Sequence, residues 1–69
     1  MSAMERAIAA VVVDLWRAQR MPVRTLIVAG LIGKHDRTAR AVLVRLEQRG
    51  YVQRVGKRGG WLPANIRYA

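Results

Sequence analysis

The sequence predicts a mainly α domain closed by a small β-hairpin: three helices, then two short strands around a basic turn. Three observations carry that prediction. Apolar residues recur at helical spacing over Met4–Trp16 and again over Ala39–Leu46. Met21-Pro22, and then Gly30 with Gly33, interrupt the chain between those two stretches. Finally, the β-prone run Tyr51–Val55 and the pair Trp61-Leu62 flank the turn Gly56-Lys57-Arg58-Gly59-Gly60, and Pro63 closes the second run.

The first helix is expected over about residues 3–20. Ser2 and Glu5 have capping-box spacing, in which each side chain satisfies the other's exposed backbone N–H. Met4, Ala7, Ile8, Val11, Val12, Leu15 and Trp16 fall on one face, with Glu5, Arg6, Asp14 and Arg17 largely on the other. Met21-Pro22 ends the helix, because the residue before a proline is pushed out of helical geometry. A short second helix is expected over about 25–31, with Leu26, Ile27, Ala29 and Val28 available for burial. Gly30 and Gly33 supply the freedom its tight exit needs. Asp36 reads as the N-cap of a third helix over about 37–49, whose apolar stripe is Ala39, Val42, Leu43 and Leu46. Gly50 stands where a left-handed cap belongs, and Arg49 lies near the negative end of the helix dipole. The hairpin occupies 51–63, and the tail from 64 to 69 has no pattern.

Size and charge limit what such a chain can do. Sixty-nine residues make one domain, spanning 1–69, with no room for a large substrate pocket. Thirteen Lys and Arg against four Asp and Glu leave a net charge of +9. Eleven of the cations are Arg, whose planar fork suits phosphates and guanine edges. Residues 1–33 carry four cations against Glu5 and Asp14 (4 − 2 = +2), whereas residues 34–69 carry nine against Asp36 and Glu47 (9 − 2 = +7). That skew points to nucleic acid as the partner, although ribosomal or membrane-surface proteins share such totals. With no Cys, disulfides and thiolate metal sites are excluded. No apolar run approaches the roughly 18 residues that span a bilayer, and no signal peptide is framed. The chain starts at Met1 without a visible tag, so it reads as complete and cytoplasmic.

Three helices followed by a basic hairpin resemble the winged helix-turn-helix family of DNA-binding proteins. The resemblance is closest at Thr38-x4-Leu43-x2-Leu46-Glu47-x2-Gly50-Tyr51-Val52, the form taken in bacterial winged-helix regulators by the recognition helix and first wing strand. It covers about Met4 to Pro63. It implies that the third helix is the recognition helix and that the hairpin is a wing. The larger regulators carry a ligand-binding or dimerisation domain, so this chain is most similar to the small, free-standing regulators of phage, plasmid and archaeal type.

The candidate DNA-binding residues follow. Arg37, Thr38, Arg40 and Ala41 lie where a helix docked by its N-terminal half reaches base edges, and Arg45 lies further along for phosphate or a distant base. Lys34 and His35 precede them. Arg40 is the leading candidate for a bidentate guanine contact, and Ala41 and Val44 could meet a thymine methyl. Val44 has a second reading, as packing against the first helix or a partner subunit. Arg54 on the first wing strand and Lys57 and Arg58 at the tip could neutralise phosphates or probe a minor groove. Any of these arginines could equally be an ordinary solvated charge. Trp61 either stacks on a base or covers the core at the base of the wing, and the second reading fits its place better. Trp16 on the apolar stripe is core or interface.

His35 cannot anchor a metal of ordinary ligand count by itself, and no nucleophile has a positioned base. The expectation is therefore no enzyme, no cofactor, no metal and no small-molecule effector. The predicted function is a sequence-specific, double-stranded DNA-binding transcriptional regulator, a repressor or activator acting by promoter occupancy. A homodimer on an inverted repeat is expected, because one module of this size buries too little surface for tight specific binding, with cooperative monomers as the alternative. The first helix, with Val13 off its main stripe, is the candidate self-association surface. Two alternatives stand beside it: an architectural, chromatin-like DNA binder of low specificity, and a winged helix that meets RNA or an acidic protein.

Overall fold

A computed structural model describes residues 1–56 and 60–67. Lys57 and Arg58, the predicted wing-tip cations, lie outside the described residues. Helices α1 (Ala3–Gln19), α2 (Thr25–Ile32) and α3 (Asp36–Gln48) precede strands β1 (Val52–Val55) and β2 (Gly60–Pro63). The strands pair antiparallel, with Val52 opposite Pro63 and Val55 opposite Gly60. Three helices and an antiparallel hairpin are the winged-helix arrangement.

Local chemistry explains the ends of α1 and α3. The Ser2 N–H donates to Glu5 Oε1 at 2.8 Å and the Glu5 N–H donates to Ser2 Oγ at 3.1 Å, which completes the capping box. At the other end Arg20, with φ 56°, turns the chain out, and its N–H donates to the Trp16 carbonyl at 2.8 Å. At the end of α3, Gly50 takes φ 82°. The Tyr51 N–H then reaches the Leu46 carbonyl and the Gly50 N–H reaches that of Glu47, the two bonds of a Schellman motif. One boundary differs from expectation. His35, not Asp36, is the N-cap, with φ −69° and ψ 152°, and its carbonyl accepts the Ala39 N–H. The extended turn ends one residue earlier than Asp36 implies. Asp36 therefore sits inside the first turn, where its charge complements the positive helix end.

The core is built by the apolar stripes of α1 and α3, with Ile8, Val12, Leu43 and Leu46 all fully buried. Each contributes roughly 1.5–3 kcal/mol by leaving water. The faces of α2 are a correction. Val28 and Ala29 point inward, whereas the expected core residues Leu26 and Ile27 are 64% and 50% exposed, together with Leu31 at 61%. The sequence of α2 is apolar all round, so nothing polar marks its outer side.

Trp61 ties the hairpin to the helices. It is buried, its Nε1–H donates to Thr25 Oγ1 at 2.9 Å, and its backbone exchanges two hydrogen bonds with Val23. The linker between α1 and α2 thus lies along β2 as a single bridge, Val23 opposite Trp61. Trp61 is a core residue, and Trp16 likewise is buried, with the Arg20 guanidinium 5.8 Å from its ring centroid. Gln53 binds the tail: its Nε2–H donates to the carbonyls of Pro63 and Ile66.

Glu5, expected largely on the polar face of α1, is buried, because at about 100° per residue it falls in line with Ile8, Val12 and Trp16. Its Oε2 accepts from Arg49 Nη1 at 3.3 Å and lies 3.6 Å from Arg45 Nε. One carboxylate therefore caps α1 and clamps the C-terminal half of α3. The Ser2 N–H bond lowers the carboxyl pKa most. Burial opposes it, and the Ser2 hydroxyl, Arg49 and Arg45 lower it further. A carboxyl whose pKa is lowered by folding stabilises the fold above its unfolded pKa and loses that contribution as pH falls through the folded one. Replacing Glu5 by Gln should lower the melting temperature at pH 7, with the gap to the unmodified chain narrowing below about pH 5 as Glu5 protonates. Parallel melting curves from pH 7 to pH 3 would remove Glu5 from this role.

Candidate nucleic-acid interface

Successive residues of α3 lie about 100° apart, so its buried stripe leaves an outward face centred on Arg37, Ala41, Val44 and Gln48. Its two flanks are occupied. On one side Arg45 and Arg49 reach α1 through Glu5. On the other, Glu47 Oε1 accepts from Arg54 Nη2 of β1 at 3.2 Å. The Arg54 guanidinium also lies 5.0 Å from the centroid of the Trp61 ring. α3 is thus braced from both sides along its second half.

These ion pairs sort the cations. Arg45, Arg49 and Arg54 have carboxylate partners, whereas Lys34, Arg37 and Arg40 have none among the described residues. Lys34, His35, Arg37, Thr38, Arg40 and Ala41 are all exposed, at the turn into α3 and along its first two turns. His35 places no side-chain cap on the helix start, so the first N–H groups of α3 remain available to an oxyanion beside these cations. Six of the predicted residues thus lie exposed near the start of α3.

The remaining predicted residues fall differently. Val44 is half-buried and packs against the core, although the wheel places it near the middle of the outward face. Arg45 stays 54% exposed at its side chain but already faces Glu5, and Arg54 is held by Glu47 and Trp61. The clamp residues Glu5 and Glu47 escape sequence reasoning, because their partners are set by tertiary packing. The one available signal was that Glu5 stands beside an apolar stripe while serving a cap.

Beside the basic end, a cleft of about 730 Å³ opens between Leu26 and Gly30 of α2 and Lys34, His35, Arg37 and Thr38. Leu26, Ala29 and Gly30 make its apolar wall, and Asp36 stands among Lys34, His35 and Arg37 on the other. No cluster of three His, Asp or Glu able to hold a metal ion occurs among the described residues. No helix among them is long and apolar enough to cross a membrane.

The family model described as "Winged helix-turn-helix transcription repressor, HrcA DNA-binding" matches residues 1–69. No curated protein and no solved structure matches the chain.

Proposed function

Because the chain belongs to the winged helix-turn-helix family of HrcA-type transcription repressor DNA-binding domains, we propose that it represses transcription by reading a specific duplex sequence with the N-terminal half of α3. Membership supports a DNA-binding transcriptional regulator. The finer reading rests chiefly on one observation: Lys34, Arg37 and Arg40, at the N-terminal end of α3, are exposed and have no carboxylate partner among the described residues, while Arg45 and the C-cap Arg49 share the carboxylate of Glu5. Free cations at one end define where phosphate density sits. Arginine forks there can reach base edges once the backbone contacts set the register.

In this reading Arg40 contacts a guanine, worth roughly 1–3 kcal/mol of discrimination, and Arg37, Thr38 and Ala41 complete the base-facing set. Lys34 and His35 engage phosphate beside the helix start. Val44 contributes shape from its half-buried place. Arg45 and Arg54 hold the helix and the first wing strand while remaining near enough to the groove for a phosphate. Lys57 and Arg58 grip an adjacent backbone or minor groove. The protein acts in the cytoplasm as a homodimer without a small-molecule effector, so its own concentration governs promoter occlusion.

Selection of retained fragments from a random duplex library, followed by competition at ~150 mM salt, tests this reading. A selected site should outcompete random duplex by well over tenfold. A ratio below ten would instead favour a low-specificity architectural binder. Arg40→Ala should flatten selectivity at one base pair, whereas Lys34→Ala should weaken all duplexes alike and lower the salt slope by about one unit. Equal losses of selectivity in both variants would remove Arg40 as the base reader.

A further inference from the structure

We propose that the outer face of α2 is the surface through which two copies of this chain pair, and that the pairing takes hold when DNA places them side by side. The proposal deepens the homodimer reading above and rests on it. It moves the contact from α1, where the sequence located it, to α2.

The face is defined by geometry. At about 100° per residue, Leu26, Gly30, Ile27 and Leu31 follow one another over about 140° of the helix surface, opposite the inward-facing Val28 and Ala29. Leu26, Ile27 and Leu31 are half or more exposed. They present on the order of 300 Å² of aliphatic surface, within the range of the largest patch on a typical monomer, which is often functional. Leu26 and Gly30 also border the cleft toward α3, but Ile27 and Leu31 do not line it.

Gly30 supplies a second, independent observation. A glycine inside a helix costs about 0.5–1 kcal/mol relative to alanine. Here it sits in an eight-residue helix, and nothing internal requires it: a Cβ at Gly30 would meet no atom within 4 Å. Its φ is also outside the left-handed range. A missing side chain at the centre of an exposed apolar face is what close approach of another surface calls for.

Charge selects the occupant. Two copies each carrying +9 repel wherever their surfaces are basic. Between Arg24 and Lys34, Thr25 to Gly33 contains no charged residue, so here like copies meet with least of that penalty. A two-fold contact uses the same patch on both copies and closes at two. Area then sets the strength. Two patches bury roughly 600 Å², about half of the roughly 1,200 Å² at the lower bound for stable interfaces. The contact is too small to hold a free dimer at low concentration. It suffices when neighbouring sites on one duplex raise the effective concentration toward the millimolar range.

Two neutral variants, Ile27→Asn and Leu31→Asn, test this together with single-cysteine crosslinking in a chain that has no Cys of its own. On a duplex of about one and a half turns, the Ile27→Asn/Leu31→Asn double variant should bind within twofold of the unmodified chain. On one of about four turns it should bind about tenfold more weakly and lose cooperativity. Without DNA, at raised salt, the unmodified chain should approach a dimer mass in sedimentation equilibrium only near millimolar concentration, and the double variant should stay monomeric. Leu31→Cys should crosslink on the long duplex, and Ala10→Cys, on the exposed side of α1, should not. Equal loss on both duplexes would place the α2 face against DNA and overturn the proposal. Efficient crosslinking through Ala10→Cys alone would overturn it in favour of α1, and a monomer throughout would overturn it outright. If no duplex is bound at all, the DNA-reading function fails, while sedimentation still decides the pairing.

Discussion

Gly60→Ala should lower folding stability by about 2–5 kcal/mol, roughly half the stability of a chain this size. Gly60 opens β2 with its backbone pressed against the linker between α1 and α2. A Cβ there would overlap Pro22 Cβ, and would lie 2.7 Å from the Pro22 carbonyl carbon and 3.0 Å from the Val23 nitrogen. Two of those three atoms are backbone, so no side-chain rotation makes room. Relief requires the linker to move off β2, which breaks the paired bonds of 2.9 and 2.8 Å between Val23 and Trp61. Overpacking of this kind costs roughly 1–3 kcal/mol and each lost bond about 1 kcal/mol, against a total of roughly 3–10 kcal/mol for 69 residues. Urea unfolding followed by far-UV circular dichroism reads the change. Gly30→Ala is the matched control: its methyl meets open space and improves helix propensity, so it should raise stability by up to about 1 kcal/mol. An unchanged midpoint for Gly60→Ala would mean that β2 does not run along Pro22 and Val23.

The contrast between those two glycines shows what the sequence could and could not reveal. Gly30, Gly50 and Gly60 look alike in sequence. The role of Gly50 was legible because a C′ glycine is a local device, set by the end of one apolar stripe. Gly60 depends on Pro22, 38 residues earlier, and no local pattern encodes that contact. The same division runs through the helices. The buried stripes of α1 and α3 could be read because polar residues alternate with apolar ones at the helical period. In α2 that signal is missing, and the expected inward residues Leu26 and Ile27 lie outside. At the interface, the stretch from Lys34 to Ala41 was legible as a basic helix start. What separated free from held arginines was not, because Glu5 meets Arg49 across 44 residues and the cap it forms with Ser2 already explains its presence.

That separation leads to the sharpest functional expectation, for the double variant Arg37→Glu/Arg40→Glu. Both side chains are exposed, and neither is paired to a carboxylate among the described residues, so reversing them leaves the braces through Glu5 and Glu47 in place. Stability should change by less than about 1 kcal/mol, since surface substitutions away from packed features rarely do more. Binding should collapse. Each neutralised phosphate contributes about fivefold to the observed affinity near 150 mM salt, following a slope of about 0.9 per contact in log units. Whichever atoms Arg37 and Arg40 touch, their charges lie in the field of nearby phosphates, so reversing both is equivalent to losing two to four phosphate contacts, and affinity should fall by roughly 30- to 1,000-fold. The salt slope should fall by about two to four units, which distinguishes a lost attraction for phosphate charge from general misfolding. The reference is Arg49→Gln, which removes a cation that Glu5 already holds. It should lose less than about fivefold in affinity, and its slope should change by less than one unit. If Arg49→Gln and the double variant weaken binding alike, the duplex is gripped along the whole of α3, and the ion pairs with Glu5 do not decide which arginines meet DNA.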